Sequence, residues 1–295
     1  MPQKNKTLDF AIVIPAYNEE NFVGLCLESL LGQSLLPSKI IVVDDGSSDK
    51  TSEIVEKYTA ESKIINIVKS TSSLKHEPGA KVINAFKRGL NHISQNDFDV
   101  ICKFDADLEF PKNYIEKLNH HFLSDENLGL CGGICSIKKN DNWQPESLTN
   151  LDHVRGALKA YRLKAFNEIR GLDSQMGWDT ADEFKLRYRN YNIKVDNALM
   201  VKHHKPTATS YKDDYFKTQG KVFYALRYGW LLTLIASLKI VSNRKDYDKF
   251  GVIIYGFKNS KSEGIDFLLS EDEGKYLRKY RWKHIFKKLF HKKTA

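Results

Sequence analysis

Apolar residues gather in short unbroken runs over the first hundred positions. FAIVIP (10–15), KIIVVDD (39–45), KIINIV (63–68) and DVICKFD (99–105) are too short for helices and read as buried strands. Between them the period changes. Phe22, Leu25, Cys26 and Leu30 fall on one helical face, and Asp49 suits the N-cap of a helix to about Tyr58. Residues 80–93 and the stretch after Pro111 suit two more helices. Repeated strand–helix–strand units predict an α/β chain with a mostly parallel sheet and helices on both faces. Strands that are apolar throughout, rather than alternating, fit that choice. Further on, NIKVDNALMVK (192–202) reads as another strand.

The polar residues are placed with equal regularity. PAYNEE follows the first run, DDGSSDKT the second, SLKHEPGAK the third and DADLEFP the fourth. Each lies at the carboxyl end of a predicted strand, where open α/β sheets bind ligands. Within CKFDADLEF, Asp105 and Asp107 share a parity. If the extended conformation persists, both carboxylates project to one side and can hold a divalent cation. Alone, the pair would equally suit a turn; as one of four polar strand ends it favours the metal.

The ordered set IVIPAYNEE, IIVVDDGSSDKT and FDADLEFP resembles the family 2 glycosyltransferases of the GT-A (Rossmann-like) fold, over roughly residues 8–205. The resemblance implies a nucleotide-sugar donor, usually a UDP-sugar, held by Pro15, Ala16, Tyr17, Glu19, Asp44, Asp45, Gly79, Lys81, Asp105 and Ala106. It assigns Asp44 and Asp45 to base and ribose, with Gly46 turning the backbone beside them, and Gly79 and Lys81 to the diphosphate. Asp107 becomes the direct ligand of Mg²⁺ or Mn²⁺, with Asp105 beside it and nearer the ribose. A late histidine, His203 or His204, returns to the metal. Neighbours on a strand face opposite ways, so one of the two serves at most.

The family's acidic pair before an arginine-ended helix is absent here. GWDTADEFKLR offers Asp179, Asp182 and Glu183 ahead of Arg187 instead. Inverting transfer needs one carboxylate to take the acceptor hydroxyl's proton. Asp179 follows Gly177–Trp178 as the base does in the family, and Asp182 matches the spacing to Arg187 almost as well. Trp178 can stack on a sugar or fill core, and Arg155, Tyr161 and Arg162 are expected along the acceptor cleft.

Composition refines the picture at the two ends. The start, MPQKNKTLDF, has no apolar h-region, and WLLTLIASLKIV (230–241) is too short to span a bilayer. Cys26, Cys102, Cys131 and Cys135 lack zinc-like spacing and read as reduced core residues of a cytosolic protein. The net charge of +9 resides in residues 275–295, which hold nine Lys/Arg and no acid. There Trp282, Ile285, Phe286, Leu289 and Phe290 form one helical stripe among basic residues. Such a helix suits an anionic membrane surface, or docks on its own domain with a solvated basic face. No nucleic-acid-reading motif accompanies the charge.

The expected whole is a GT-A domain over residues 1–215, its donor half to about residue 110 and its acceptor half beyond, followed by a helical region over 216–295. Its expected activity is metal-dependent inverting transfer of a sugar to a glycan or lipid-linked acceptor. That work belongs to surface polysaccharide or glycoconjugate assembly, in the cytoplasm or peripherally on the cytoplasmic membrane face. The alternatives are a nucleotidyltransferase, which would want a Gly-rich basic loop where PAYNEE stands, and a non-catalytic nucleotide-sugar-binding protein.

Overall fold

A computed structural model describes residues 7–70, 79–94, 97–146, 152–205 and 213–291, without the side chains of 213, 214 and 288–291. The chain divides into two compact units. The first comprises Met1–Ser174 and Arg189–Thr207, the second Gln175–Tyr188 and Ala208–Ala295.

The first unit opens with the predicted alternation: β1 (Phe10–Ala16), α1 (Val23–Leu31), β2 (Lys39–Asp44), α2 (Thr51–Glu61), β3 (Ile65–Lys69), α3 (Ala80–Leu90) and β4 (Val100–Phe104). Then come β5 (Leu108–Glu109), α4 (Tyr114–Ser124), β6 (Leu128–Lys139), β7 (Asn142–Pro145), β8 (Leu158–Arg162) and α5 (Leu163–Glu168). The second unit interposes α6 (Trp178–Tyr188) before β9 (Asn192–His203) completes the sheet.

The sheet runs β3-β2-β1-β4-β8-β6-β9-β5, with β7 on the flank of β6. The four strands read from the sequence are its parallel part. The later strands are mixed: β8 is antiparallel to β4 and to β6, whereas β9 runs parallel to β6. Strands β1, β2 and β4 are buried almost without a break. Helix α3 lies hard on this sheet, because a Cβ at Gly89 would sit 2.5 Å from Val13 and 2.8 Å from Val43. The order of strands reverses at β1, since the chain moves outward to β3 and then returns to add β4 on the other side. Such a switch point leaves a crevice at the carboxyl ends of β1 and β4.

The second unit is helical. With α6 it contains α7 (Asp213–Ala225), α8 (Gly229–Arg244), α9 (Phe250–Asn259) and α10 (Glu271–His291). Its core includes Phe184, Phe216, Phe223, Leu226, Ile253 and Leu277. Helices α7 and α9 cross with their backbones touching: a Cβ at Gly220 would lie 2.0 Å from the Ile253 carbonyl, and one at Gly256 2.1 Å from that of Lys217. Helix α10 turns Leu277 fully inward, and Trp282 and Ile285 pack against the same core. Two of the five residues of the predicted tail stripe are thereby docked. Phe286 stays exposed, and the side chains of Leu289 and Phe290 fall outside the described residues. Among the described residues no helix is long and apolar enough to cross a membrane. All four cysteines are buried and free.

Candidate active site

A cavity of about 270 Å³ occupies the crevice at the switch point. Pro15, Ala16, Tyr17 and Glu19 line it from the end of β1, Asp45 from β2, Lys81 from α3, and Asp105, Ala106 and Asp107 from β4. Residues from four separated sequence stretches thus meet in one place. Lys81 Nζ stands 4.6 Å from the centre of the Tyr17 ring. Asp45 is ion-paired with Arg88 of α3. Glu19 pairs at 2.6 Å with Lys205; burial raises its pKa, although the lysine pulls the other way.

Two expected donor residues stand apart from this lining. Asp44 is spent on the turn that follows it, accepting hydrogen bonds from the Ser47 amide at 2.9 Å and from the Ser52 hydroxyl. Gly46 takes the positive φ, 78°, that this turn requires. Gly79 precedes α3 with a φ of 82° and does not line the cavity.

The aspartates converge differently from expectation. Strand β4 stops at Phe104, and the chain turns through Ala106 and Asp107 before β5. Strand parity therefore does not bring them together; the turn does. Asp105 is ion-paired with Lys103, which is 2% exposed and also donates to the Gly156 carbonyl at 3.0 Å. Sequence reading passed over Lys103, although a lysine inside an apolar strand is a signal, since a buried ammonium demands a partner. Arg88 gave no such signal, because its pairing with Asp45 is long-range.

Pairing of β5 with β9 sets Leu108 opposite His203. His203 is buried, with Nε2 3.3 Å from Asp107 Oδ2 and Nδ1 3.9 Å from Glu146 Oε2. Burial opposes its charged form, but Asp107 and Glu146 outweigh burial and push its pKa up to about 9. His204 faces elsewhere, as neighbours on a strand must: it bonds Glu109 at 3.1 Å and stacks on Phe22. Arg155, expected along the acceptor cleft, is ion-paired with Glu146. Tyr161 is fully buried against Phe166, and Arg162 donates to the carbonyls of Phe122, Asp125 and Leu128. Tyr161 is thus a core residue, and Arg162 holds the end of α4.

The donor set suits a hard cation. Asp107 Oδ1 and His203 Nδ1 are buried without a hydrogen-bond partner, a costly condition unless something else binds them. Cys135, Glu146 and His203 offer ligand atoms within 4.8 Å of one another. Burial drives the Cys135 thiol up to about 12, so it is a neutral neighbour. Carboxylate oxygens and one imidazole fit Mn²⁺ and, with more water, Mg²⁺.

In the second unit, α6 carries the other candidates. Trp178 is 7% exposed and packed, as the second of its two readings has it. Asp182 is 2% exposed and Glu183 4%, and the Glu183 amide donates to Asp182 Oδ1 at 2.6 Å. Asp179, in the first turn, is half-buried and reaches solvent.

A curled mixed sheet with an acidic crevice at its strand reversal is the GT-A glycosyltransferase fold. Residues 11–182 match glycosyl transferase family 2, and the chain belongs to that family. An undecaprenyl-phosphate 4-deoxy-4-formamido-L-arabinose transferase of Edwardsiella ictaluri is 25% identical over 68% of this chain and 55% of its own. A glycosyltransferase of Mycoplasma pneumoniae, the MG025 homolog, is 29% identical over 65% of this chain. The chain spans 55% and 64% of the lengths of these two relatives. Among solved structures, S. aureus TarS 1–349 in complex with UDP-GlcNAc aligns with a TM-score of 0.55 at 18% identity, covering 86% of this chain and 72% of that one. The mannosyltransferase PcManGT from Pyrobaculum calidifontis, with GDP-Man and Mn²⁺, reaches 0.56 at 12% identity, covering 95% and 81%. At these identities the likeness is one of fold.

Proposed function

We infer that the chain transfers a sugar from a nucleotide-diphosphate sugar, a UDP-sugar in the first instance, to a hydroxyl of a glycan or lipid-linked acceptor, with inversion. One observation carries this reading: Asp45, Lys81, Asp105 and Asp107, from three stretches of sequence, line one cavity at the sheet's switch point. The nucleotide sugars bound to TarS and PcManGT support the donor class, and the undecaprenyl-phosphate relative supports a lipid-linked acceptor.

In this reading Tyr17 and Asp45 receive the nucleoside, and Lys81 faces the diphosphate. Asp107, with His203 and Glu146 behind it, would hold Mn²⁺ or Mg²⁺. Bound there, the cation neutralises the diphosphate and stabilises the charge that develops on the leaving nucleotide. Lys103 fixes Asp105 so that one carboxylate oxygen stays in place. Asp179 is the base of choice, because it reaches solvent while Asp182 is buried. It takes the acceptor's proton as the acceptor oxygen bonds to the anomeric carbon and the bond to the diphosphate breaks.

The test is a donor panel incubated with Mn²⁺ and a hydroxyl acceptor, followed by nucleotide release. Release with one donor class, abolished by EDTA, is the expected result. A chain that binds nucleotide sugars yet releases nothing with any acceptor is a binding protein instead.

A further inference from the structure

Helix α8 is apolar on both sides. The side turned to the core of the second unit carries Leu232, Ala236, Ile240 and Val241, with Thr233 and Ser237 fully buried among them. Thr233 returns its hydroxyl to the Gly229 carbonyl at 2.7 Å, and Ser237 Oγ is buried without a partner. The outward side carries Trp230, Leu231 and Leu238, which are 53%, 60% and 54% exposed, with Leu234 and Ile235 half-exposed between them. At 100° per residue these five occupy one continuous face. Such a second face exposes apolar surface that water disfavours.

Charge selects the partner. Helix α8 contains no acidic residue, and Lys239 and Lys245 flank the apolar face, both exposed. The chain's +9 lies in residues 275–295 of the same unit, outside α8, so the basic character of this face rests on these two lysines. A second copy meeting this face about a two-fold axis would set lysine against lysine.

We propose that the outward face of α8 is a docking surface for an anionic lipid bilayer, with Trp230, Leu231 and Leu238 entering the headgroup boundary and Lys239 and Lys245 meeting acidic headgroups. This differs from an attachment through the C-terminal stripe, which is partly docked on the core. The proposal is independent of the transferase reading, because binding to lipid needs neither donor nor metal.

The experiment is sedimentation of the full-length chain with vesicles of phosphatidylcholine alone, or with about a third replaced by phosphatidylglycerol. Binding is expected to the anionic vesicles and to weaken with salt, as screened attraction must. The double variant Leu231→Gln, Leu238→Gln should bind about tenfold more weakly or worse with an unchanged melting temperature, because both side chains face solvent. Phe286→Ser, on the exposed part of the C-terminal helix, should bind as the parent does. Loss of binding in Phe286→Ser with retention in the double variant would assign attachment to the tail and overturn the proposal. So would a full-length chain that ignores anionic vesicles at low salt, or one that forms a dimer abolished by the double variant.

Discussion

At the scale of single residues, the two aspartates after β4 have different neighbours and so should fail differently. Asp107→Asn keeps the shape but removes the charge that faces His203 and the cavity. Transfer should fall at least about 10²-fold, and Mn²⁺ should no longer strengthen UDP binding in calorimetry. Asp105→Asn strips Lys103 of its ion-pair partner, so it should also cost about 1–3 kcal/mol of stability, read as a lower urea midpoint. The acids of α6 offer a second separation. Asp179→Asn should lose about 10²–10⁴ in transfer while still binding donor, since a general base acts on the acceptor. Full activity in that variant, with loss in Asp182→Asn, would reverse the assignment.

Elements are held by contacts that single residues permit. Gly220→Ala places a Cβ 2.0 Å from a backbone carbonyl of α9, which no rotamer relieves. Helices α7 and α9 must separate, at a cost of about 3 kcal/mol or more, visible as a large fall in melting temperature. Removing α10 after Gly274 should act in the same direction, because it strips Leu277 from the core and each such side chain contributes about 1.5–3 kcal/mol. In the first unit, β9 is tied to α4 by His121 and Asp196 at 2.6 Å. Burial raises the Asp196 pKa, yet His121 and the Ala198 amide hold it below the ordinary value. A depressed carboxylate contributes stability above its unfolded pKa and loses it as pH falls through the folded one. Denaturation midpoints between pH 5 and pH 2 should therefore fall less steeply in His121→Gln than in the parent chain.

Across the whole molecule, the chain crosses between its units more than once. Residues 175–188 belong to the helical unit, yet β9, which follows them, completes the sheet of the first. A fragment ending at residue 207 therefore keeps every strand of the sheet but leaves Ala181 and Phe184 of α6 without their partners in the helical core. Such a fragment should expose additional apolar surface and bind more of a hydrophobic dye than the full chain does.

The amino-acid sequence alone determined the parallel half of the sheet and the place of its ligands. Four apolar runs can only be buried strands, and polar residues at their ends can only gather at one edge. It also marked Asp45, Asp105 and Asp107, because carboxylates at the end of a buried strand have few inexpensive explanations, whereas Lys81 was marked only by the family resemblance. Tertiary structure decided what depends on partners distant in the chain. It put Asp44 to work in a turn, Arg155 behind Glu146 and Tyr161 in the core. It replaced a shared strand face by a turn as the device that aims Asp105 and Asp107 into one cavity. In the helical unit, the sequence showed an apolar run over 230–241 and an apolar stripe from Trp282, but not which side of either would be covered. Close packing settled that: α10 fits the core with Leu277, and α8 meets it with Leu232, Thr233, Ser237 and Val241, leaving Leu231 and Leu238 outside.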